Sequence, residues 1–385
     1  MAKNFALKTA FVLLLLVSGV SAQQLPKNPL AGREVFEKEG CLNCHAVNGS
    51  GGTIGPDFGK QVFPGNDYDL LSRMWNHSQR MLLMMARTKT ERPSFTGRDF
   101  HELGDFLYFI RYLGEPGNIS AGKRLFTTEG CIKCHSVGRA VPGKIALDSM
   151  KIYVSPVRLA QAMWNHSIMM HRRGAARGVK LPTFSDNRFA DLTAYIRSAS
   201  SLKSGEEIYS YPGDPVRGEQ LFKEKGCYYC HVEKPVGPKL ERMRTNESVT
   251  EIAGIMWNHS GKMAEAMKTM NRSYPSFSGD EMADVISYLY FQGTPRTSGS
   301  AELGALLFKR KGCESCHQTG NQFNAPTVDR FGPFHDKDDF LAALWNHAPR
   351  MEELLLAKGK KLPDLMPNEV KSLYLFINAK TEAGK

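Results

Sequence analysis

Outside four short motifs the 385-residue sequence has no cysteine, and it has only four tryptophans. No thiol is left over for a dispersed disulfide framework. After the first 22 residues no apolar run approaches the roughly 20 residues that span a bilayer, which excludes a later membrane helix. No stretch alternates convincingly between apolar and polar residues, so sheet is not expected. Single-sign charge runs are also missing: 50 Lys and Arg against 39 Asp and Glu are scattered along the chain, a poor pattern for gripping nucleic acid. With 42% hydrophobic and 23% charged residues the composition is globular, excluding disorder, collagen and coiled coil. The length exceeds what one core usually serves.

The first 22 residues read as a secretory signal. Lys3 and Lys8 are basic, Phe11 to Val17 is apolar, and Val20-Ser21-Ala22 is a small-residue cleavage site. Cleavage after Ala22 predicts a periplasmic or extracellular protein; retention of the segment as a membrane anchor is the alternative.

All eight cysteines lie in four copies of one pentapeptide: Cys41-Leu-Asn-Cys44-His45, Cys131-Ile-Lys-Cys134-His135, Cys227-Tyr-Tyr-Cys230-His231 and Cys313-Glu-Ser-Cys316-His317. Cys-x-x-Cys-His is the signature of covalent haem c attachment, in which two thiols hold the porphyrin and the imidazole is the proximal iron ligand. Zinc knuckles, redox dithiols and disulfides leave the histidine after each second cysteine unexplained. Four attached haem c groups are expected.

The motifs recur every 86 to 96 residues, which marks a tandem array. Before each runs Gly-x-x-x-Phe-x-x-x-Gly, as in Gly122, Phe126 and Gly130; the first Gly and the Phe share a helix face, and the second Gly suits the helix C-cap. Beyond each haem histidine comes a second signature containing Trp75-Asn76-His77, Trp164-Asn165-His166, Trp257-Asn258-His259 or Trp345-Asn346-His347. Four residues after that histidine stands Met81, Met170, Met263 or Met351, and sixteen after it Pro93, Pro182, Pro275 or Pro363. Each repeat closes with an amphipathic helix whose aromatic (Phe109, Tyr195, Tyr288 or Phe376) is predicted to pack on the first helix. Gly-, Pro- and Ser-rich linkers separate repeats at 28–115, 118–203, 214–293 and 299–381. All-α architecture is expected.

On these motifs each repeat resembles a class I c-type cytochrome, the small mono-haem fold in which N- and C-terminal helices cross; the chain would hold four in tandem. The resemblance implies that the carbonyls of Pro56, Pro142, Pro238 and Pro326 receive the proximal imidazole protons. It also implies a distal methionine. Asn-His-x-x-x-Met matches the family's Asn-Gly-x-x-x-Met, which favours Met81, Met170, Met263 and Met351, with a turn at Asn-His that Pro349 would help to start. An alternative alignment makes His77, His166, His259 and His347 distal ligands; with Met axial they would serve the haem pocket. Trp75, Trp164, Trp257 and Trp345 read as haem walls or propionate donors, with electron tunnelling as a lesser reading.

The expected function is single-electron transfer between Fe(III) and Fe(II), with no catalysed reaction and no small-molecule substrate. Loss of Lys3 and Lys8 lowers the formal charge from +11 to +9; four oxidised haems leave about +5 and four reduced haems about +1. A mildly basic surface suits acidic redox donors and acceptors. The alternatives are a haem enzyme, such as a peroxidase or reductase, and a subunit of a membrane respiratory complex or self-assembling extracellular wire.

Overall fold

The computed structural model describes residues 28, 30–61, 66–114, 116–148, 155–199, 213–234, 236–238, 247–292, 297–323, 325–332 and 334–383. The segment expected to be a secretory signal lies outside the described residues, as does most of the linker between the second and third repeats. The fold is mostly helical: thirteen α-helices are described, and strand is confined to two short pairs, Ala46–Val47 with Ser50–Gly51 and His135–Ser136 with Ile145–Ala146. No described helix is long and apolar enough to cross a membrane.

Each repeat is built on a crossed pair of helices. They are α1 (Ala31–Lys38) with α4 (Gly97–Phe109), α5 (Ile119–Thr128) with α7 (Arg188–Ser198), α8 (Pro215–Glu224) with α10 (Glu281–Gln292), and α11 (Ala301–Arg310) with α13 (Pro367–Ala383). The recurring first glycine is the crossing point. A Cβ on Gly32, Gly122, Gly218 or Gly304 would lie 1.9, 1.9, 2.0 or 2.0 Å from a backbone oxygen of the closing helix, so only glycine permits this approach.

The recurring Phe then meets an aromatic of that helix, with ring centroids 5.6 Å apart for Phe126–Tyr195, 5.4 Å for Phe222–Tyr288 and 5.6 Å for Phe308–Phe376. In the first repeat Phe36 meets Phe106 at 5.7 Å, while Phe109 stacks on Tyr112. This corrects the expected Phe36–Phe109 contact by one helical turn, because Gly32 crosses at Glu102, four residues before Phe106.

Between each crossed pair runs a helix carrying the Trp-Asn-His signature. In repeat 1 it is broken: α2 (Asp67–Asn76) stops at His77 and α3 (Ser78–Thr88) begins beyond it. In the others α6 (Pro156–Ala176), α9 (Val249–Thr269) and α12 (Lys337–Leu356) run straight through Asn-His. The predicted turn at Asn-His is therefore corrected in three repeats. Pro349 sits inside α12, where its missing N–H costs one ladder bond without ending the helix.

These signature helices pack repeats against one another, α6 on α9 and α12 on α2 and α4. The chain is thus a nested arrangement in which repeat 2 pairs with repeat 3 and repeat 1 with repeat 4. Repeat 1 touches repeat 3 through Tyr108 and Tyr290, each hydroxyl donating to the other residue's carbonyl at 3.0 and 2.5 Å.

A buried ionic cluster closes the 1–4 contact. Lys337 Nζ lies 2.5 Å from Asp67 and also bonds Asp338, and His101 lies 3.4 Å from both Asp67 and Asp105. Burial would raise Asp67, but His101 and Lys337 outweigh it and hold its carboxyl down to about 2. The bond to Asp67, against burial and with help from Asp105, raises His101 to about 9. Burial pushes Asp105 up to about 7 and Asp338 to about 6. A histidine raised on folding adds stability at low pH that fades between about 6.5 and 9, and carboxyls raised on folding add stability that fades between about 4 and 7. Between pH 5 and pH 9 the melting temperature of the full chain should change less steeply downward with rising pH in Asp105→Asn than in wild type. Identical slopes in the two proteins would refute this account of the contact.

Candidate functional site

Each Cys-x-x-Cys-His motif follows a helix ended by glycine. Gly40, Gly130, Gly226 and Gly312 have φ of 72°, 79°, 78° and 81°, the left-handed C-cap conformation that glycine adopts freely. The chain then enters a 3-10 turn at Cys41–Asn43, Cys131–Lys133 and Cys313–Ser315; in repeat 3 a π turn spans Tyr229–Glu233. All eight thiols are unbridged and partly buried. Burial raises the first thiol of each motif, Cys41 to about 12 and Cys131, Cys227 and Cys313 to about 11. Among the described residues no motif converges as a cation site.

The histidine of each motif is oriented from behind. The Nδ1–H of His45, His231 and His317 donates to the carbonyls of Pro56, Pro238 and Pro326, each at 3.0 Å. Gly55 and Gly237 press on two of these rings, and an added Cβ would come within 2.3 Å of His45 and 2.9 Å of His231. His135 departs from the pattern: the backbone of Ile145, not a proline carbonyl, is its hydrogen-bonding neighbour. Pro142, expected to receive that proton, does not, and the segment after the motif instead pairs His135–Ser136 with Ile145–Ala146.

The signature helix brings a second histidine to the sites of repeats 1, 2 and 4. The Nδ1–H of His77, His166 and His259 donates to the carbonyl four residues earlier, at 2.5, 2.6 and 2.7 Å. This bond fixes the tautomer and leaves Nε2 with its lone pair free to face outward. His347 faces His317 across the fourth site with ring centroids 6.3 Å apart. Burial first, and the facing His77 or His166, hold His45 and His135 below the ordinary histidine value.

In repeat 2 these groups line one cavity of about 250 Å³, bounded by Cys131, Cys134, His135, His166, Met170 and Trp257. The cavity opens partly to solvent, and its walls are mostly apolar. The space fits a bulky apolar group held at the two thiols. Met170 shares this wall with His166, one turn further along α6. Met81, Met263 and Met351 are partly buried against the core.

Trp257 belongs to repeat 3, yet it walls the cavity of repeat 2. Its indole N–H donates to the Pro182 carbonyl at 2.8 Å, while Asn258 clasps the backbone N–H and C=O of Phe184. In return Trp164 donates to the Pro275 carbonyl and Asn165 clasps Phe277. Repeats 1 and 4 do the same: Trp75 reaches Pro363 with Asn76 on Leu365, and Trp345 reaches Pro93 with Asn346 on Phe95. The four indole N–H groups, read from sequence as propionate donors, are committed to these carbonyls. The recurring proline, noted in the sequence without a role, is the acceptor. Arg92 lies 4.0 Å above the Trp345 ring and pairs through Nη1 with the buried Glu352 carboxylate at 3.4 Å.

No protein-family model, no curated protein and no solved structure matches this chain.

Proposed function

We propose that the protein is an exported tetrahaem c-type cytochrome, made of four class I cytochrome c-like units, that carries single electrons between redox proteins. The observation that carries this reading is a second histidine beside the Cys-x-x-Cys-His histidine, His77 by His45, His166 by His135 and His347 by His317, with Nδ1 of His77 and His166 tied to the backbone and Nε2 left free. The four cysteine pairs would hold the porphyrins, His45, His135, His231 and His317 the irons from the proximal side. Haem supplies the Fe(III)/Fe(II) couple; the protein buries it, limits water access and fixes the imidazoles.

For the distal side the geometry favours His77, His166, His259 and His347 over Met81, Met170, Met263 and Met351. The rings of His317 and His347, with centroids 6.3 Å apart, would leave room for one iron between them. In repeats 2 to 4 the helix continues through Asn-His and carries the methionine one turn beyond the histidine. Bis-histidine ligation would set lower potentials than histidine–methionine. Iron held by two protein ligands would favour an electron carrier over a peroxidase or reductase.

Haem quantification with far-red absorption of the oxidised full chain tests this. Four covalent haems per chain, all low-spin, without the iron–methionine charge-transfer band, are expected. That band, scaled to four haems, would return the assignment to methionine; absence of covalent haem would overturn the reading altogether.

A further inference from the structure

Resting on the tetrahaem reading, we propose that the four sites work as two couples, 2 with 3 and 1 with 4, in which each tryptophan walls the partner unit's haem and bridges the two. The wall is seen directly in repeat 2, whose cavity is closed by Trp257 of repeat 3. Trp257 and His259 are two positions apart, so on α9 they point to nearly opposite sides. One helix therefore serves two sites, lining the haem of repeat 2 through its indole and ligating that of repeat 3 through its imidazole.

The relation is reciprocal. Trp164 is bound to Pro275 and stacks on Tyr274 of repeat 3 with ring centroids 4.9 Å apart, while His166 two residues on serves repeat 2. Trp164 and Trp257 meet around one small apolar void where α6 and α9 cross. In the other couple Trp345 is bound to Pro93 beneath Arg92, and Trp75 to Pro363. Every indole is held on both its N–H and its neighbouring Asn, so its position is fixed relative to the partner's site rather than its own.

Electron exchange then follows the nested couples instead of chain order. One electron supplied by a protein donor crosses a tryptophan pair, one iron being oxidised as the other is reduced, with no bond made or broken. Trp257 and its equivalents are positioning residues in this scheme.

The test uses the full haem-loaded chain and its hyperfine-shifted proton NMR signals, with His166→Ala and His259→Ala identifying the sets from repeats 2 and 3. Trp257→Leu should displace the signals of repeat 2, and Trp164→Leu those of repeat 3. In partly reduced wild type, exchange cross-peaks should be strongest within 2–3 and 1–4, and Trp257→Leu should slow the 2–3 exchange about tenfold. Trp257→Phe, which keeps a ring, provides a milder variant and should still act on repeat 2. Displacement confined to the tryptophan's own repeat, or fastest exchange between 1 and 2 or 3 and 4, would overturn the pairing while leaving the haem reading intact. Wild-type protein without covalent haem would overturn the haem reading itself.

Discussion

Replacing His166 with alanine is expected to leave a chain that still carries four covalent haems but in which one of the four turns high-spin. Attachment depends on Cys131, Cys134 and proximal His135, none of which is touched, so haem content holds. The distal Nε2 is lost, and Met170 one turn further along a continuous α6 cannot replace it without unwinding the helix. Low-spin haem measured by electron paramagnetic resonance should fall by about one quarter, and the haem of repeat 2 should bind cyanide or imidazole. Met170→Ala should leave all four haems low-spin. The opposite pattern, with Met170→Ala producing the high-spin haem and His166→Ala silent, would restore the methionine assignment. The same pairs of substitutions at His77 and Met81, His259 and Met263, and His347 and Met351 extend the test to every repeat.

Gly122→Val is expected to be the most damaging single substitution in the helix scaffold. A Cβ there would stand 1.9 Å from the Asp191 carbonyl oxygen and 2.8 Å from the Tyr195 Cβ. Backbone cannot step aside as a flexible side chain can, so α5 and α7 must separate, and the Phe126–Tyr195 contact beneath the haem site opens with them. Overpacking usually costs about 1–3 kcal/mol, and an obstruction made of backbone belongs at or above the top of that range. Chemical unfolding of the haem-loaded chain should show a loss of at least about 3 kcal/mol for valine and a smaller loss for alanine. Lys123→Ala, on the exposed side of the same helix, should stay within about 0.5 kcal/mol of wild type. A valine tolerated as well as that control would show that the crossing is not the tight contact described here.

Much of this was legible in the residue pattern. The four Cys-x-x-Cys-His motifs, the Gly-x-x-x-Phe-x-x-x-Gly helices ending in left-handed glycine, and the all-α character follow from local spacing, because helix periodicity, capping and motif chemistry act over a few residues. Where local rules competed, the outcome depended on packing. The turn expected at Asn-His gave way to continuous helices in three repeats, since α6, α9 and α12 are each held along their length by a partner repeat. The proximal acceptor was readable as a proline seven to eleven residues on in three repeats and failed at His135, where the loop pairs as a short strand instead.

By itself the sequence determined that the protein repeats four times, that each repeat is helical, and where its four Cys-x-x-Cys-His motifs fall. Only the tertiary structure decided whose site each tryptophan serves. Trp75 and Trp345 find their acceptors 288 and 252 residues away, Trp164 and Trp257 at 111 and 75. The four signatures are so alike that no local feature names a partner. The choice is made by which helices bury their apolar faces together, a sum over the whole folded chain.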